Sequence, residues 1–224
     1  MTQTDDRIIK ALQEKGELKQ EIFLQTKKVF HQLNGVLHNI AERTTEAMGE
    51  DSLVEVTYRP QGDYESLLKF SGDTLVFMMH TNVFNFNPEY FVHNSEYVKQ
   101  DPTRAYCGMI LVYNFLSDSL RYNRLSDVGY LIGRIFINKE QHFFVEGRKE
   151  LAFMYNSFSR KPIDEETLYQ IAETAIVHAI DFDLFVPPME VSKQLTVKDK
   201  MQASGLSAIR TGKRVGFEFL RDQQ

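Results

Sequence analysis

Histidine most often supplies metal ligation and acid–base chemistry near neutral pH, and six histidines are spread along this chain. His31 and His38 share a helix-like stretch, but seven residues along a helix rise about 10.5 Å. Zinc holds its nitrogens at about 2.0–2.1 Å, so this pair cannot ligate one ion and reads as the flank of an apolar stripe. His178 and Asp181, with Asp183 close by, fall on one helical face, as a metal or an acid–base pair requires. His178 also lies on the stripe Leu168, Ile171, Ala175 and Phe182. A half-buried histidine hydrogen-bonded to Asp181 therefore explains the same spacing without an ion.

His80, Thr81 and Asn82 interrupt an otherwise apolar run. Buried polar groups must find partners, so a pocket or a bulge in a sheet is expected there. The stretch continues to His93 with Asn85, Asn87, Glu89 and Tyr90 interleaved among Phe84, Phe86 and Phe91. Flat apolar walls with a few orienting polar groups suit a small polar ligand. His80, Asn82, Asn85, Tyr90 and His93 are accordingly the candidate ligand-binding residues, although core and turn positions would read alike.

Cys107 sits in mid-strand with no histidine placed beside it, which favours an inert buried thiol over a nucleophile. Glu140, Glu146 and Glu150 flank a hairpin, where charge keeps a sheet edge soluble. The run from Arg210 to Gly216 has the look of a phosphate loop but lacks the spacing and the strand–loop–helix context. No G-x-S-x-G, H-E-x-x-H, C-x-x-C or dinucleotide fingerprint occurs. No cofactor is expected.

The elements that would position these residues follow from periodicity. Residues 4–49 read as helix, with Thr4 and Asp5 as N-cap candidates. Ile22, Phe23, Val29, Phe30, Leu33, Val36, Leu37 and Ile40 form a broad apolar stripe. Gly16 costs about 1 kcal/mol in a helix interior, so a break is expected there, leaving a short arm and a long helix from about Glu17. From Leu53 the period becomes two, and turns at Gln61-Gly62-Asp63 and Ser71-Gly72-Asp73 join antiparallel neighbours. Thr74–Phe86 and Ala105–Phe115 are apolar on both faces, which implies a sheet covered above and below. The link between them is long enough for a crossover or a small helix. A short piece at Leu120–Asn123, a strand over Val128–Asn138 and a hairpin partner over His142–Glu146 complete the sheet. Asp164 then caps a second helix. The fold class expected is α+β: an antiparallel-dominated sheet of about five to six strands, a long N-terminal helix and a second helix after the sheet.

One domain is expected, with a helical arm and long helix in residues 1–50, the sheet in 51–160, a helix in 161–186, and a basic tail in 187–224. Val215–Leu220 could add an edge strand. Seventeen Phe and ten Tyr furnish the core. A buried Phe is worth about 1.5–3 kcal/mol, so neither a disulfide nor a metal is needed for stability. Seven basic and three acidic residues fall in 191–224, a balance of +4, which leaves −9 over residues 1–190 of the total of −5. A body of that sign disfavours nucleic acid. No stretch reaches 18 consecutive apolar residues, the start lacks a signal-like pattern, and the lone cysteine suits a reducing compartment. The expectation is a cytoplasmic protein that does not engage a membrane.

Three functions are compatible with these residues. The first is a non-catalytic binding or interaction protein that assembles, as a homo-oligomer or with a protein partner, through Phe23, Phe30 and Leu37 of its N-terminal helix. It could hold a small polar ligand near the end of the central strand. The second is a hydrolase- or transferase-type enzyme with its site between the sheet and the helix bearing His178 and Asp181. The third is a nucleic-acid accessory protein using the basic tail.

Overall fold

A computed structural model describes residues 3–147, 151, 155–184, 186 and 189. An N-terminal helix, a six-stranded antiparallel sheet and a later helix make an α+β fold. Helix α1 (Gln3–Ala11) runs through a π-helical turn, Leu12–Gly16, into α2 (Glu17–Met48). The expected break at Gly16 is thus a wider turn in a continuous helix, in which the Glu17 N–H donates to the Leu12 carbonyl five residues back. Gly49, at φ 79°, ends α2 in a backbone region that favours glycine.

Strands β1 (Val56–Pro60), β2 (Glu65–Phe70), β3 (Asp73–Met79), β4 (Cys107–Leu116), β5 (Tyr130–Asn138) and β6 (Phe143–Gly147) lie side by side in chain order. The link from β3 to β4 is therefore not a crossover. Helix α5 (Glu165–Ile180) follows, its N-cap Asp164 accepting from the Thr167 N–H at 2.9 Å.

The double-sided runs are explained by two separate cores. On one face Leu75, Phe77, Met79, Ile110 and Val112 pack against Phe30, Leu33 and Leu37 of α2 and Leu168, Ile171 and Ala175 of α5. On the other, Cys107, Met109, Phe136 and Phe144 are covered by the β3–β4 link, which supplies Val92, Val98 and Ala105. That link contains a 3-10 turn (Phe91–Asn94), helix α3 (Glu96–Gln100) and a second 3-10 turn (Pro102–Ala105). Its cover does not reach the whole outer face, since Met78 and Leu131 remain 37% and 36% exposed. The uncertain piece after β4 is helix α4 (Ser117–Arg121).

Two expectations are corrected. The run 74–86 is not one strand: β3 ends at Met79, His80 bonds to Met109, and pairing returns only as a bridge between Phe84 and Cys107. Residues 81–83 stand out of the ladder as a bulge, where the polar interruption fell. Second, Phe30 is 1% exposed and Leu37 fully buried, both within the core. The stripe expected to meet a partner is consumed by the chain's own sheet and α5. Phe23 is half-buried and meets Tyr64 at 6.2 Å between ring centres. The possible edge strand at Val215–Leu220 lies outside the described residues. No helix among the described residues is long and apolar enough to cross a membrane.

Candidate ligand cleft at the bulge

The bulge after β3 forms one wall of a cleft of about 560 Å³, and the first turns of α2 form the other. Lys19, Gln20 and Phe23 face it from the helix because positions three and four apart share a face. Thr81, Asn82 and Val83 face it from the bulge, and Tyr64 forms its floor from the β1–β2 turn. Clefts of about 300–1,000 Å³ accommodate small organic ligands.

The aromatic floor is held in place. Lys27, one helical turn beyond Phe23, lies over the Tyr64 ring at 5.3 Å and donates to Asp63 Oδ2 at 2.9 Å. That hydrogen bond raises the Lys27 pKa and lowers that of Asp63. The contact is solvent-exposed, so it orients Tyr64 and adds little stability. By contrast, the side chains of Lys19, Gln20, Thr81 and Asn82 form no hydrogen bond to any described residue. Four uncommitted polar side chains beside two ring faces can hold a ligand with an apolar body and a polar end.

Of the five residues expected to bind a ligand, the structure brings Asn82 to this cleft. His80 holds the bulge itself: its Nδ1 accepts from the Asn82 N–H at 3.0 Å and its ring meets Phe84 edge-on at 4.7 Å. Asn85 Oδ1 accepts from the Phe86 N–H at 2.9 Å. Tyr90 stacks on Phe86 at 4.9 Å, and His93 Nε2 lies 3.1 Å from the Phe86 carbonyl oxygen. These three residues fix the covering link. Lys19, Gln20 and Tyr64 escaped the sequence reading, because their approach to residue 82 depends on how α2 crosses the sheet.

A second polar cluster joins the covering link to the β5–β6 turn. Tyr97 Oη donates to Glu140 Oε2 at 2.6 Å and accepts from Asn138 Nδ2 at 2.9 Å. Arg104 Nε donates to Glu140 Oε1 at 3.0 Å, and its guanidinium lies 4.3 Å from the Tyr97 ring centre. Lys139 Nζ donates to Asp101 Oδ2 and Thr103 Oγ1, each at 2.7 Å. Burial, with the bond to Glu140, pushes the Tyr97 hydroxyl well above its ordinary range. Burial works to raise the Glu140 pKa, but the Tyr97 and Arg104 bonds outweigh it and leave the carboxyl lowered. Every member is engaged by another, so the cluster is a clasp.

His178 occupies the last turn of α5, and the Asp181 N–H closes that turn onto the Val177 carbonyl at 2.9 Å. No cluster of three or more His, Cys, Asp or Glu residues suited to a metal occurs among the described residues. Cys107 is fully buried, and burial raises its thiol pKa far above the ordinary value. The basic tail of 187–224 offers no described geometry beyond Met189.

Together, the fold and cleft define an α+β protein whose antiparallel meander carries a helix-bordered surface cleft. No protein-family model, curated protein or solved structure matches the chain.

Proposed function

We propose that this is a non-catalytic binding protein that holds a small ligand in the cleft between α2 and the β3 bulge. The observation that carries this reading is the set of uncommitted polar side chains, Lys19, Gln20, Thr81 and Asn82, beside the Phe23 and Tyr64 rings. A non-catalytic reading is favoured because neither His80 nor His93 lines the cleft, and neither forms an ion pair with a described carboxylate. A general base needs a free nitrogen within reach of the proton it abstracts.

The test is a thermal-shift screen of a fragment library against the protein and its Thr81→Trp variant, which puts a bulky ring at a residue lining the cleft. Fragments that raise Tm in the parent and not in the variant support the reading. A screen in which no stabilisation depends on residue 81 overturns it.

Assembly through the N-terminal helix is favoured by a different surface from the one expected. Ile8 and Leu12, one turn apart on the arm, are 55% and 61% exposed. Sedimentation of the protein and of an Ile8→Asp/Leu12→Asp variant checks this: a dimer dissociated by the variant supports it, and a monomer in both excludes it.

A further inference from the structure

We propose that the ligand of this cleft is a small organic anion with a flat apolar body, an aryl carboxylate being the simplest case. The inference rests on the cleft being a binding site, and adds the charge and shape of what enters it.

Charge comes first. Lys19 is the sole ionisable side chain with a full charge among the seven residues that line the cleft, and no carboxylate lines it. Acidic groups adjacent in the chain to Lys19 or to Tyr64 are otherwise placed. Asp63 is already engaged by Lys27. Glu17 and Glu21 lie two positions either side of Lys19, and residues two apart on a helix do not share a face. Among the described residues Lys19, like Lys15 and Lys28, has no ion-pair partner, and of these three it alone lines the cleft.

Donors come next. The bulge leaves the Thr81 and Val83 N–H groups without an acceptor among the described residues, while those of His80, Asn82 and Phe84 are all bonded. Gln20 and Asn82 add amide donors at the same cleft. Backbone N–H groups, side-chain amides and an ammonium together satisfy a carboxylate, which only accepts hydrogen bonds. A ligand cation would meet Lys19 with no counter-charge.

Shape comes last. Phe23 and Tyr64, both lining the cleft, stand 6.2 Å apart with planes at 56°, a tilted aromatic pair against which a flat ring can pack. Lys27 Nζ lies 5.3 Å from the Tyr64 ring centre and is itself tied to Asp63, which helps hold the ring in place.

The experiment is an amide-resolved NMR titration of the full chain with three matched probes: 2-naphthoate, 2-naphthamide and 2-naphthylmethylammonium. The expected result is that naphthoate moves the amide signals of Gln20, Thr81, Asn82 and Val83 and binds about five- to tenfold more tightly than the amide, as one charge-assisted contact implies. Lys19→Met should abolish that preference, and Lys28→Met, outside the cleft, should retain it. Equal or tighter binding of the amide or the ammonium overturns the anion assignment and leaves the cleft as a binding site. A naphthoate preference that survives Lys19→Met overturns the role of Lys19. No shift at these amides with any probe overturns both the assignment and the reading beneath it.

Discussion

Thr26 in α2 and Gly108 in β4 are in direct contact: a Cβ built on Gly108 would stand 2.0 Å from the Thr26 Oγ1 and 2.8 Å from its Cβ. The helix approaches the sheet this closely because Gly108 presents no side chain. Thr26 in turn satisfies its hydroxyl within the helix, donating to the Ile22 carbonyl at 2.7 Å. Gly108 also lies opposite the bulge, so this contact sets the height of α2 above the cleft wall.

Gly108→Ala is therefore expected to destabilise by about 1–3 kcal/mol through overpacking, seen as a Tm drop of about 2–4 °C per kcal/mol for a chain this size. In a Thr26→Ala background the penalty should shrink, since Oγ1 and Cγ2 are gone and only the Cβ contact remains. Calorimetry of the two single variants and the double variant measures the coupling. Strict additivity would show that the two residues do not press on each other.

Acid should weaken the clasp between the covering link and the β5–β6 turn. Hydrogen bonds from Lys139 and Thr103 hold the Asp101 carboxyl well below the usual carboxylate range. A depressed folded-state pKa contributes stability that is present above the unfolded pKa, about 3.9, and is lost as pH falls through the folded value. Asp101→Asn should be less stable than the parent at pH 7, with the gap closing below about pH 4. Urea unfolding at several pH values reads this directly, and a gap that widens in acid would contradict it.

Cys107 should be silent in the native protein. Its thiol is fully buried and burial favours the neutral form. A thiol-specific chromogenic reagent at pH 8 should react at a rate that tracks unfolding as urea is raised. Prompt reaction without urea would place the thiol at the surface.

Phe30 and the arm residues should respond in opposite ways. A charge at the buried Phe30 site has no partner, so Phe30→Asp is expected to cost more than about 4 kcal/mol and to abolish the fold, seen as loss of near-ultraviolet circular dichroism. Ile8→Asp and Leu12→Asp lie on an exposed arm and should leave Tm within about 2 °C of the parent at concentrations where the parent is monomeric, because exposed substitutions fall within about 0.5 kcal/mol.

What the sequence revealed divides along the range of the interactions involved. The N-cap Asp164, the turn at Ser71-Gly72 and the switch from helical to alternating period after α2 are local, and each is visible in a few residues. The two-faced runs correctly implied cover on both sides. The second cover was not legible, because the β3–β4 link has no sustained period and takes its shape from Phe86, Tyr90 and Tyr97 packing on Phe136, Phe144 and Phe158. The clasp joins residues 36 and 43 positions apart in the chain, which no motif announces. The cleft was half visible: the polar interruption at His80-Thr81-Asn82 marked the bulge. Lys19, Gln20 and Tyr64 reach it only through tertiary packing, and the apolar stripe of α2 looked like spare surface because the later α5 could not be placed against it.

The order of the elements also bears on how the chain is made. Helix α2 leaves the ribosome before any strand that will cover Phe30, Leu33 and Leu37, and β6 comes last in the meander. At about 5–20 residues per second, the roughly one hundred residues between them take on the order of 5–20 s to translate. For that interval the nascent helix carries its stripe without a finished sheet, so demand for chaperone protection begins early in synthesis and ends only once α5 has followed the sheet onto it.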